Sequence, residues 1–412
     1  MATPATPEAL DGLTHDPYAT YALLRESAPV RRVTGTDGNA AWLVTRYADV
    51  RDALADPRLS LDKAHALPGN YSGFALPPAL DANLLNMDPP DHTRVRRLVV
   101  KAFTPGRTER LREPVRRAAD ELLDAVEEAG GGDLVAAYAA PLPVAVICDL
   151  LGVPATRRPD FRTWTDALVA PDPARPHRAK EAVVGLLGYF TALIAEKRER
   201  PGDDLLSDLI AVRDEDGGGR LSEDELMSLA FLILFAGYEN VVQLIGTAVL
   251  GLLRHPEQLA AVRADPALLP GAVEEFMRHE GPVLLAIRRF PVEDVTIGGV
   301  RVPKGETVLL SPGSAGRDPD RFADPDRLDV TRDAGGHLAL GHGIHYCLGA
   351  PLARMETTTA LAALIERFPG LALAVPEEEL RWRPSMRARG LLELPVVCRV
   401  GEKSPKNPLR DR

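Results

Sequence analysis

The chain has 412 residues, is 45% hydrophobic and 26% charged, and carries a formal net charge of −10. That balance excludes bulk nucleic-acid binding, which needs a basic footprint, and the composition is that of an ordinary globular protein rather than a fibrous or low-complexity one. The N-terminal "MATPATPEALDG" lacks a basic start followed by an apolar core, and the longest apolar run, "LAFLILFAG" at 229–237, falls short of the roughly 20 residues that cross a bilayer. A soluble, cytoplasmic protein with no membrane span is expected.

In chain order, helical periodicity marks 17–27 ("PYATYALLRES"), 92–103 ("HTRVRRLVVKAF"), 107–130, 178–199 and 350–368. Strand-like pieces fall at 29–35 and 40–47, then at 287–312, 380–385 ("LRWRPS") and 391–400 ("LLELPVVCRV"). The longest helical segment starts at "LSEDE", where Ser222 and Glu225 have capping-box spacing, and runs without proline until Pro256. Apolar on most faces, it predicts a buried central helix. The expected fold is mostly α with small β-sheets (α+β). One large domain spans 1–400, β-richer near 30–60, 285–310 and 380–399, with a polar, disordered tail over 401–412.

Ala236 and Gly237 make the central helix small enough for something flat or bulky to approach its backbone. Glu239 and Asn240 follow where apolar residues are expected, and a buried carboxylate needs a partner or a task. Of three cysteines, Cys148 and Cys398 sit in apolar runs and read as core residues. Cys347 differs: "GHGIHYCLG" places three glycines within nine residues around it. A zinc site with His342 and His345 lacks a fourth nearby ligand, and a cysteine nucleophile lacks an evident base and orienting group. A structural cysteine and an axial haem thiolate remain. The second draws support from the positive N-terminal end of the following helix, where Pro351 fits the first turn.

"HLALGHGIHYCLGAPLAR" resembles the haem-binding signature of the cytochrome P450 superfamily, in its soluble, actinomycete-type branch. So, in order, do "DPPDHTRVRRLVVKAFTP", "FAGYENVVQLIG", the Glu-x-x-Arg in "EEFMR", and "GRDPDRFADPDRLDVTR". The resemblance covers roughly 15–400 and implies haem b (iron protoporphyrin IX) as cofactor. It makes Cys347 the metal ligand, followed by Gly349, with His92, Arg96, Arg289 and His345 on the haem propionates. It places Ala236 and Gly237 over the haem and gives Glu239 and Asn240 the oxygen-activation role. Val283, Leu284, Ile287, Met386 and Arg387 become substrate contacts, with the 67–85 loop as a lid. Glu275, Arg278 and Arg332 become a structural brace.

Two positions depart from the family pattern. Leu340 replaces the signature's aromatic, and Asn240 replaces the usual threonine, so the hydroxyl that helps deliver protons is missing. The implied activity is a monooxygenase oxidation of a small-molecule specialised metabolite, with electrons from a ferredoxin and its reductase. A basic patch of Arg96, Arg97, Lys101, Arg107 and Arg110 would receive the donor, and a monomer is implied. The alternatives are oxidative C–C or C–N coupling of aromatic substrates such as cyclic dipeptides without oxygen insertion, and a non-catalytic haem protein. Nothing in the sequence shows an acid–Arg arrangement for a peroxide-driven enzyme.

Overall fold

A computed structural model of the chain describes residues 8–9, 13, 16–35, 38–70, 78–169, 175, 177–212 and 219–399. The tail over 401–412 and the 71–77 part of the expected lid lie outside the described residues.

The fold is a helical body with small sheets made from chain-distant pieces. Strands β1 (Val30–Thr34) and β2 (Ala40–Val44) pair antiparallel, in register Val30 to Val44. Helix α1 (Asp91–Ala102) buries Val95, Leu98, Val99 and Ala102, a stripe at helical spacing, and His92 one turn earlier. Full burial of a leucine such as Leu98 contributes about 1.5–3 kcal/mol.

The periodic stretch at 107–130 divides. A short helix, Pro105–Arg110, ends near Leu111, and α2 (Arg112–Glu128) starts afresh. Pro114 explains the restart, because a proline fits a helix's first turn and not its middle. Strand β3 (Gly131–Asp133) follows.

Helix α3 (Glu223–Arg254) is the central helix. Its capping box forms: Ser222 Oγ accepts from the Glu225 amide, and Glu225 Oε2 accepts from the Ser222 amide at 2.8 Å. It is long and apolar enough to cross a membrane, but most of its apolar stretch is packed inside the protein. Helix α4 (Leu269–Glu280) leads to the 282–312 segment, whose last strand, β4 (Val308–Leu310), joins β2 in parallel. Helix α5 (Ala350–Arg367) carries Pro351 in its first turn and packs on α2 and α3. Finally β5 (Gly370–Leu373) and β6 (Pro395–Arg399) pair antiparallel, and β6 also pairs antiparallel with β3.

Among the described residues "LRWRPS" forms no strand, only an isolated bridge from Trp382 to Leu391, because its proline interrupts the ladder. Cys148 and Cys398 are buried in the main core, as expected.

Candidate active site

Cys347 lies between a tight turn at Gly343–His345 and the start of α5. Its amide donates to the Leu340 carbonyl at 2.9 Å, closing the loop. Gly343 has φ +74°, and a Cβ there would meet Ala55 Cα at 3.1 Å, so glycine is required. The thiol is half-buried. Burial raises its pKa, while the Gly349 and Ala350 amides, Arg96 and Arg354 favour the thiolate.

Beside it converge four basic side chains from three parts of the chain. His92 of α1 and His345 stack with ring centroids 4.2 Å apart. Arg96 donates to the Tyr346 carbonyl at 2.6 Å, and Arg289 reaches the Leu59 carbonyl at 3.3 Å. Both ring nitrogens of His92 and Nε of Arg289 are buried without a partner among the described residues. Burial first, then Arg289 and His92, push His345 down to about 3. Burial also lowers Arg289 to about 10, and burial and Arg96 lower His92. Asp88 is the carboxylate that acts on this group, and it already accepts from Ser60 Oγ and the Leu61 amide. Two arginine cations, with buried imidazole and guanidinium nitrogens that lack partners among the described residues, fit a dicarboxylate ligand.

Helix α3 has a break in its burial: Phe235, Ala236 and Asn240 are exposed in the middle of a mostly buried helix. Asn240 Nδ2 donates to the Ala236 carbonyl at 3.3 Å. At Gly237 a Cβ would meet Ile147 Cδ1 at 3.2 Å. The glycine's small size lets α3 approach that neighbour, and the exposed face belongs to Ala236.

Glu239 finds its partner in Arg383, whose Nη1 donates to Oε1 at 2.6 Å. The pair lines a cavity of about 180 Å³ with Arg162, Tyr238, Val242 and Gln243. Burial raises the Glu239 pKa and Arg383 opposes the rise. Sequence reading missed Arg383, since it lies 144 residues away in a segment read as a strand.

The expected substrate contacts separate. Ile287 is exposed, and Val283 bridges Ala388. Arg387 is exposed at the turn, where its carbonyl accepts from the Leu284 and Leu285 amides. Leu284 and Met386 are instead buried in a core with Tyr21, Leu24, Leu43 and Leu309, where neither offers a surface to a ligand.

Glu275, Arg278 and Arg332 come together. Glu275 and Arg278 are fully buried, joined at 2.6 and 2.7 Å, and Arg332 Nε donates to Glu275 Oε1 at 3.2 Å. Arg278 also donates to the carbonyls of Gly316 and Pro325. In the basic patch, Arg107 pairs with Asp208 and Arg110 with Asp203.

A family model described as cytochrome P450 matches residues 160–379. The chain is 48% identical to the cytochrome P450 monooxygenase PikC of Streptomyces venezuelae, over 98% of each chain. It is 46% identical to the 6-deoxyerythronolide B hydroxylase of Saccharopolyspora erythraea, over 94% of this chain and 97% of that one. The solved structure of the ligand-free P450 monooxygenase TamI superposes with a TM-score of 0.88 at 45% identity, covering 96% of this chain and 95% of that one.

This chain belongs to the cytochrome P450 family. It is a haem-dependent monooxygenase of the kind that tailors small-molecule specialised metabolites. The family's cofactor is haem b, bound through a cysteine thiolate, and its enzymes draw electrons from redox partners.

Proposed function

We propose that this P450 hydroxylates a specialised metabolite, with Cys347 as the proximal ligand and electrons supplied by a ferredoxin and its reductase. The observation that carries the reading is the Cys347 thiol near the Gly349 and Ala350 amides, beside a cluster in which both His92 ring nitrogens and Arg289 Nε lack partners among the described residues. His92, Arg96, Arg289 and His345 would hold the propionates, and the exposed Phe235–Ala236 face of α3 and Ile287 would meet the apolar part of a substrate. Haem, when bound, supplies dioxygen activation; a cysteine thiolate ligand favours O–O cleavage.

Glu239 leaves Oε2, the oxygen that Arg383 does not engage, available to exchange a proton, and the cavity beside it has room for several waters. Asn240 lacks the relaying hydroxyl and folds its amide onto its own helix, so a substrate hydroxyl or a water takes that place. The exposed Arg97 and Lys101 of α1 offer a positive surface to an acidic ferredoxin in a cytoplasmic setting.

The Asn240 geometry also favours a second reading, in which hydrogen or an electron is taken from an aromatic substrate and two rings couple without oxygen insertion. Turnover under isotopically labelled dioxygen, with ferredoxin, reductase and panels of macrolide-like compounds and aromatic cyclic dipeptides, separates the two. Label in the product supports hydroxylation. Loss of two hydrogens without label supports coupling and overturns the primary reading.

A further inference from the structure

Glu274 lies one residue before the buried brace and has no part in it. Its carboxylate joins two elements on either side of the cysteine loop. Arg354 of α5 grips it bidentately, Nε to Oε1 at 2.6 Å and Nη2 to Oε2 at 2.8 Å. His337, buried at the start of the loop, reaches Oε2 through Nε2 at 3.1 Å. The Ala339 amide donates to His337 Nδ1 at 3.2 Å, so Nδ1 is an acceptor and the ring hydrogen sits on Nε2, directed at Glu274. Burial would raise the Glu274 pKa, but Arg354 and His337 hold it at about 2, so it is an anion throughout the working range.

From both anchors the connection to the sulfur is short. After Ala339 comes Leu340, whose carbonyl accepts from the Cys347 amide. Arg354 also reaches the Tyr346 side chain, next to Cys347, and lies close enough to favour the thiolate. The Tyr346 carbonyl is held from the other side by Arg96.

We propose that Glu274 is a positioning residue for the Cys347 thiolate: it fastens both ends of the cysteine loop to α4 and neutralises Arg354 beside the sulfur. The inference rests on Cys347 being the iron ligand. Reduction of the iron–thiolate unit adds a negative charge, so neighbouring charges act on it with a definite sign. Removing the Glu274 charge leaves Arg354 uncompensated and makes reduction easier. Removing the Arg354 charge leaves Glu274 uncompensated and makes it harder.

The test is the one-electron midpoint potential of the haem-loaded wild type, Glu274→Gln and Arg354→Gln. The expected result is shifts of opposite sign, upward for the first and downward for the second. Each changes the reduction equilibrium at least threefold, about 30 mV at 59 mV per tenfold. A role confined to packing would destabilise both variants without opposing shifts, so shifts of one sign, or none above threefold, overturn the proposal. If Glu274→Gln does not take up haem, Glu274→Asp is read instead. It keeps the charge and shortens the reach, so a near-native potential is expected, with faster loss of the thiolate-type reduced carbon-monoxide band in mild denaturant. Loss no faster than in the wild type overturns the proposal. Absence of that band in the wild type would be the failure of the ligand assignment itself.

Discussion

Glu356, on the buried face of α5, shows how one side chain sets a pH response. It is fully enclosed, its Oε1 has no partner among the described residues, and burial alone lifts its pKa to about 8. The folded protein therefore keeps a proton there that the unfolded chain releases near the ordinary glutamate value of about 4.3. Stability tied to this proton is fully present below that lower value and is lost as pH rises through about 8. The full shift corresponds to about 5 kcal/mol. Glu356→Gln keeps the shape without the titration, so its melting temperature should fall less than the wild type's between about pH 5 and pH 8. Equal slopes would contradict this. At position 240, Asn240→Thr restores a hydroxyl to the helix face that Ala236 and Phe235 expose. Less peroxide per electron pair consumed is expected, and unchanged uncoupling would remove Asn240 from the proton path. The need of Glu239 for a partner was legible from its place in an apolar helix. The partner was not, because Arg383 gives no local signal of its target.

Elements that depend on local chemistry were readable, and those that depend on distant backbone were not. The capping box located the start of α3, and Pro256 its end. By contrast β3 is written Gly-Gly-Asp, residue types that carry no strand signal. The structure shows why glycine is needed: Gly131 has φ +130°, and a Cβ there would fall 2.2 Å from the Val396 carbonyl. Only the β6 backbone, far along the chain, turns that segment into a strand. The same distance effect hid the burial of Leu284 and Met386, since the N-terminal elements that pack on them are remote in sequence. Glu275, Arg278 and Arg332 are the element-scale feature that ties α4 to the segment around Gly316 and Pro325. Glu275→Gln leaves two arginines facing a neutral amide in a dry site, a loss of about 3–5 kcal/mol. It should lower the denaturation midpoint and the yield of haem-bound protein, both readable by absorbance. A midpoint within error of the wild type would show that the brace is redundant.

For the molecule as a whole, the family resemblance carried the cofactor and the general reaction, because its motifs recur in order along most of the chain. Composition had no such power: a net charge of −10 hides a local cluster of basic groups around the cysteine loop. In the proposed arrangement the ligand's two carboxylates would satisfy donors that are buried and unpaired among the described residues. Arg289→Leu should accordingly weaken haem retention during gel filtration while leaving the bound fraction's thiolate spectrum intact. A histidine-type spectrum in that variant would mean that the cluster does more than hold propionates. The central claim is that Cys347 supplies the thiolate. Its most direct measurement is the reduced carbon-monoxide spectrum of haem-loaded wild type and Cys347→Ala. The account expects the long-wavelength thiolate band in the wild type and its complete loss in the variant. Retention of that band in Cys347→Ala would contradict the assignment.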